Sequence, residues 1–148
     1  MEEAKILTVK EMLYKKDSRE ILNFISQTND TKILYIFAYN YNWENGFDIP
    51  AAIMNNPACN LSIALLIFYR ADGFSYLQNK ADNLNLPQWS FFIKLLYESI
   101  MNGKYKKENI AFKVPLSKIQ ILKLKKLLTS EENIFIDDIP GENLDIVL

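Results

Sequence analysis

The segment Leu61-Ser-Ile-Ala-Leu-Leu-Ile-Phe-Tyr-Arg-Ala71 constrains this chain more than any other. Asn60 supplies a helix N-cap ahead of it, and Asp72-Gly73 supplies a stop behind it with Gly in the usual C-terminal position. Leu61, Ile63, Ala64, Leu65, Leu66, Ile67 and Phe68 leave no polar stripe on the helix they form. A helix that is apolar on nearly every side belongs in the middle of a core. The rest of the chain must then supply the elements that surround it.

Those elements read mostly as short amphipathic helices. Thr8-Val-Lys-Glu11 and Asp17-Ser-Arg-Glu20 are capping boxes, the first leading into Val9, Met12 and Leu13 and the second into Ile21, Phe24 and Ile25. Asp30 or Thr31 caps a third helix with Ile33, Leu34, Phe37 and Ala38 on one side. Asn45-Gly46 marks a turn, and Pro50 to Asn55 reads as a short helix stopped by Asn56-Pro57. Gly73 to Leu86, rich in Asn and Asp, reads as a loop. Pro87 opens the clearest amphipathic helix, with Trp89, Phe92, Ile93, Leu96 and Ile100 on one stripe and Asn102-Gly103 at its end. Ser117 caps a last helix through Leu128, with Ile121, Leu124 and Leu128 as its apolar side. Ile110 to Val114 has the character of a short strand, and Ile134 to Ile136 and Leu144 to Leu148 show weak period-2 alternation. The expected fold is mainly α: one domain over 1–148, a compact bundle of six to seven short helices around the buried helix 61–71, with a small β element near the C-terminus.

What the chain lacks excludes much chemistry. It has no histidine and one cysteine, Cys59. Imidazole bases, Ser-His and Cys-His nucleophile pairs, most zinc sites and thiolate cages are therefore closed to it. Four dispersed glycines, at 46, 73, 103 and 141, cannot build a phosphate-cradling loop. Catalysis would have to use carboxylates, lysine, tyrosine or a hard cation such as magnesium. The N-terminus Met-Glu-Glu-Ala-Lys does not resemble a secretory signal, and the longest apolar run, Ile63 to Tyr69, is far short of a membrane span of about 20 residues. With a lone cysteine, these features predict a cytoplasmic protein without a membrane partner.

Charge is segregated. Lys104 to Lys126 holds eight lysines and one glutamate, whereas 129–148 holds six carboxylates and no basic residue. A lysine-rich helix suits nucleic acid. The acidic segment 129–148, however, can neutralise it in cis, and the net charge is only −1, so a solvated, self-neutralised face is the favoured reading.

Three groups of residues are candidates for function. The stretch from Tyr39 to Asp48 gathers Tyr39, Tyr41, Trp43, Glu44 and Asp48 among asparagines, the mixture of rigid aromatics and short amides that binding surfaces use. Against this, Trp43 and Tyr41 can equally plug the end of a bundle. Glu44, Asp48 and Asp72 could meet at one rim for acid–base work or cation binding, although Asp-Gly and Glu-Asn-Gly are also ordinary turn sequences. Arg70, one of two arginines, could hold a carboxylate or phosphate bidentately, or pair internally with Asp48 or Asp72. Cys59 reads as a small buried residue. No catalytic residue, metal ligand or cofactor is assigned.

Together these residues carry a resemblance. Tyr39-Asn-Tyr-Asn-Trp-Glu-Asn-Gly46, Ile49-Pro50, Asn56-Pro57-Ala-Cys59 and Leu61 to Gly73, with Ala64-Leu65, Phe68 and Ala71-Asp72-Gly73, resemble a family of small, mostly bacterial proteins known as a domain of unknown function. The resemblance covers the middle quarter of the chain. It implies a cytoplasmic helical domain with no assigned activity, and similar small proteins occur among bacterial toxin–immunity loci.

The leading expectation is a non-enzymatic protein-interaction domain, of an immunity type that binds and blocks a toxin. Tyr39, Tyr41, Trp43, Glu44, Asp48, Arg70 and Asp72 would face another protein, and the acidic tail could occupy a basic active site. The alternative is a carboxylate- or magnesium-dependent enzyme centred on Glu44, Asp48 and Asp72. A nucleic-acid accessory built on Lys118, Lys123 and Lys126 ranks third.

Overall fold

A computed structural model describes residues 3–148. Met1 and Glu2, on which part of the N-terminal reading falls, lie outside the described residues. Eight α-helices are present among the described residues: α1 (Glu3–Lys15), α2 (Ser18–Gln27), α3 (Thr31–Asn40), α4 (Asp48–Asn55), α5 (Leu61–Arg70), α6 (Gly73–Gln78), α7 (Pro87–Met101) and α8 (Lys118–Leu127). Short 3₁₀ turns span Trp43–Asn45 and Glu131–Phe135. The fold is mainly α, as the periodicity predicts.

Helix α5 is the axis. Every residue from Leu61 to Phe68 is buried, and α5 packs against α3, α6 and α7. Helix α1 backs α3, and α2 lies against α4. Each large apolar side chain removed from water here contributes about 1.5–3 kcal/mol. Buried Asn56 ties two corners together: its amide donates to the carbonyls of Ile25 and Thr28, both at 2.7 Å, and its side-chain oxygen accepts from the Ala58 N–H at 2.8 Å.

The caps follow the sequence closely. Asp17 and Glu20 form a reciprocal capping box on α2, Asp30 caps α3, Asn60 caps α5, and Ser117 with Gln120 forms the box that opens α8. Thr8 is different. It lies inside α1, and its hydroxyl donates to the carbonyl of Ala4 at 2.9 Å, so helical sequence upstream has overridden the box. Helix α4 starts two residues before Pro50, with Asp48 in its first turn.

Gly73 also departs from expectation. It does not terminate α5; Asp72 takes the left-handed conformation (φ 63°), and Gly73 begins α6. The expected loop over 73–86 therefore contains a helix over its first six residues. Asp72 starts it by accepting hydrogen bonds from the Ser75 N–H at 3.4 Å and the Ser75 hydroxyl at 2.7 Å. Glycine is needed at 73 for space, because a Cβ there would stand 2.2 Å from Cε2 of the buried Phe68 ring.

The C-terminal third wraps the bundle. The β element reduces to two isolated bridges, Ile110 with Glu142 in parallel and Phe112 with Ile139 in antiparallel. At Gly141 a Cβ would lie 2.7 Å from the Asn109 carbonyl carbon, so glycine permits the close approach of these two segments. The alternation at Ile134 to Ile136 resolves as a 3₁₀ turn that buries Phe135. The tail is docked on α3: Asn40 donates to the Ile146 carbonyl at 2.7 Å and accepts from the Leu148 N–H at 2.9 Å. Neutralisation in cis does not occur through ion pairs. Glu142 pairs with Lys32 and Glu132 with Lys80, and no ion pair among the described residues joins 129–148 to Lys104–Lys126.

Candidate functional site

The stretch after α3 is built from the inside out. Tyr41 turns into the core, where its hydroxyl donates to the Gly46 carbonyl at 2.7 Å and closes the loop on itself. Burial, with Asp48 nearby, pushes its phenol pKa upward. Asn42 accepts from the Glu44 N–H at 3.0 Å and caps the 3₁₀ turn. Trp43 lies half-buried with its ring edge-on to Tyr41 (5.4 Å), Phe47 (6.3 Å) and Phe92 (6.2 Å). Phe47 stacks on Phe92 at 4.8 Å. These rings clamp the loop to α7, and Tyr41 and Trp43 act chiefly as plugs. Tyr41 is thereby removed from any partner-facing surface.

The charged candidates scatter. Arg70 forms no ion pair among the described residues; its guanidinium carbon lies 4.7 Å above the ring of half-buried Tyr39, and Nη1 donates to the Tyr39 carbonyl at 3.2 Å. The side chains of Glu44, Asp48 and Asp72 are exposed, and Asp72 is engaged in capping α6. Among the described residues no group of three or more carboxylates or cysteines could hold a metal ion. Cys59 is buried, which pushes its thiol up to about 12, partly offset by the charge of Lys104; a thiol so held does not act as a nucleophile at neutral pH.

What gathers instead around this loop is apolar surface. A groove of about 650 Å³ is lined by Phe47, Asp48, Ala51, Met54, Phe91 and Leu95. A second, of about 380 Å³, is lined by Trp43, Phe47, Arg70, Asp72, Leu86 and Trp89. They share Phe47. Phe91 is 73 % exposed and Leu86 54 %, large values for such side chains. Glu44, Asp48, Asp72 and Asp82 are exposed in the segments that build this face. Sequence reasoning missed Phe47, Leu86, Phe91 and Leu95. The available signal was the pair Phe91 and Leu95, spaced i, i+4 on α7 but off the stripe that faces the core.

Residues 29–101 match the family model described as Domain of unknown function (DUF4274). The similarity is confined to this segment, just under half of the chain. The DUF4274 match starts one residue before the Asp30 cap of α3 and ends at the last residue of α7. It thus encloses the central helix, the aromatic loop and the whole apolar face, while α1, α2 and the C-terminal wrap lie outside it. No curated protein and no solved structure matches the chain.

Proposed function

We propose that the chain is a non-enzymatic protein-interaction domain whose contact surface is the face around Phe47, Leu86, Phe91 and Leu95, bordered by Glu44, Asp48 and Asp72. One observation carries this reading: large apolar side chains stand exposed and adjacent along two grooves that meet at Phe47. Contiguous exposed apolar surface with a polar border is the make-up of an interface core and rim. The border is acidic, which favours a partner with a basic surface. Arg70 stands beside Asp72 at the edge of the second groove, whereas Tyr39 lies beyond this face. The immunity form, in which the partner is a bacterial toxin, rests on the family resemblance together with that acidic border. The site lies in the DUF4274 segment, so the proposal extends to the family's shared portion and leaves the C-terminal wrap a supporting role.

Sedimentation of the purified chain tests the reading first. A domain reserving this face for a different protein sediments as a monomer at micromolar concentration. A stable dimer that Phe91→Asp dissociates would assign the face to a second copy and overturn the proposal.

A further inference from the structure

A separate pocket of about 440 Å³ lies between the DUF4274 segment and the chain that follows it. Tyr39, Tyr69 and Phe112 contribute aromatic walls, and Arg70, Lys113 and Asp145 bring charge. Its volume is that of a small-molecule site. Two parallel ring pairs line it: Tyr35 on Tyr39, with centroids 6.3 Å apart and planes at 18°, and Tyr69 on Phe112, at 6.1 Å and 19°. Parallel rings of this kind offer flat apolar faces to another ring.

The charges are arranged unusually. Arg70 is held over Tyr39 and spends one hydrogen bond on the Tyr39 carbonyl, leaving most of its fork of donors uncommitted among the described residues. Asp145 is fixed by the Tyr35 hydroxyl, which donates to Oδ1 at 2.6 Å. Tyr35 and Tyr39 are one turn apart on α3 with ring centroids 6.3 Å apart, so the two charges are anchored on neighbouring rings. Arg70 and Asp145 nevertheless do not pair with each other, and neither they nor Lys113 form an ion pair among the described residues. Opposite charges positioned in one pocket and left unpaired match a ligand that carries both signs itself.

We propose that this pocket binds an aromatic α-amino acid as its zwitterion, the carboxylate on Arg70 and Lys113, the ammonium on Asp145 and the ring against the tyrosine walls. A planar guanidinium that stacks on a ring suits a carboxylate better than lysine alone would. Asp145 disfavours polyanions such as nucleotides. Arg70 also edges the second groove, but Lys113 and Asp145 line neither groove, so failure of amino-acid binding would leave the interaction reading untouched.

Calorimetric titration of the full chain with L-phenylalanine, phenylalaninamide and 3-phenylpropionate tests the proposal without any variant. L-Phenylalanine should bind, and removal of either charge should weaken binding about tenfold or more. Arg70→Gln should weaken L-phenylalanine by a similar factor, whereas Arg19→Gln, which alters the other arginine, should leave it unchanged. Asp145→Asn preserves an acceptor for Tyr35 and should weaken L-phenylalanine but not 3-phenylpropionate. Absence of binding by all three ligands, equal binding of all three, or indifference to Arg70→Gln would each overturn it.

Discussion

Glu132 ties the C-terminal wrap to Tyr97 of α7 and to Lys80. Its side chain is buried, accepts from the Tyr97 hydroxyl at 2.6 Å and from the Thr129 N–H and hydroxyl at 3.0 and 3.1 Å, and pairs with Lys80 at 3.0 Å. Burial alone would raise its pKa; the Thr129, Tyr97 and Lys80 contacts together outweigh that and bring it from 4.5 down to about 2. A carboxyl depressed on folding stabilises fully above its unfolded value and loses that contribution as pH falls toward the folded one. Melting temperature should therefore drop between about pH 5 and pH 2, by the equivalent of roughly 3 kcal/mol from this residue. Glu132→Gln should lower the melting temperature at pH 7 and flatten that part of the acid profile. An unchanged profile would show that Glu132 is not held ionised. Gly73 makes a second claim at this scale: Gly73→Ala forces a methyl into the Phe68 ring and should cost about 2–4 kcal/mol in denaturant unfolding. Residues of this kind separate what sequence reveals from what it hides. Asp17, Glu20, Asn60 and Ser117 act on backbone groups within a few positions, so their caps could be read directly. The space that Gly73 leaves for Phe68, and the engagement of Glu132 by Lys80 and Tyr97 from distant positions, depend on contacts that no local pattern encodes.

At the scale of elements, period told which helices exist more reliably than what each of them faces. Helix α7 shows this best. Its core stripe, Phe92, Ile93, Leu96 and Ile100, was legible because it repeats with the helix, and those residues are buried. Phe91 and Leu95 also repeat at helical spacing, yet they stand exposed, because α5 already occupies the core side and nothing among the described residues covers the other. Helix α6 was missed because six residues are too few to display a period, and Asn and Asp following it suggested only a loop. The C-terminal strand character failed for another reason: without a neighbouring strand of comparable length, alternation at Ile134 to Ile136 collapsed into a 3₁₀ turn. Helix α3 holds the tail through Tyr35, which donates to Asp145, and through Asn40, which alone on α3 reaches 146–148 among the described residues and so gives a clean prediction. Asn40→Ala removes both hydrogen bonds to 146–148, at a cost of about 1–2 kcal/mol. The Leu148 amide should then exchange faster and proteases should clip the last residues sooner, while α5 amides stay protected. Equal exchange in both proteins would mean that the Tyr14 and Tyr35 hydrogen bonds and the apolar contacts hold the tail without Asn40.

For the whole molecule, the division between scaffold and surface is the main result. The buried helix 61–71 was correctly placed from its composition, and the mainly α bundle follows from it. The candidate surface was only half legible. The proposed surface lies beside the Tyr39 to Asp48 loop, where Tyr41 and Trp43 turn inward because the loop needs rings to seal it against α7, while Leu86, Phe91 and Leu95 stand exposed next to half-buried Phe47. Among the described residues no helix is long and apolar enough to cross a membrane, so this exposed apolar surface is not part of a spanning helix. The DUF4274 match ends where α7 ends, so the central helix and the proposed face fall within one unit. The most direct measurement is quantitative affinity capture with the tagged chain and with a Leu86→Asp, Phe91→Asp double variant of equal melting temperature. Both positions are exposed, and Asp at residue 86 serves as an N-cap for α7, so the variant should fold. One stoichiometric protein partner should be retained by the parent chain and bound at least about a hundredfold more weakly by the variant. A partner retained equally by both would contradict this reading and move the interface away from α7.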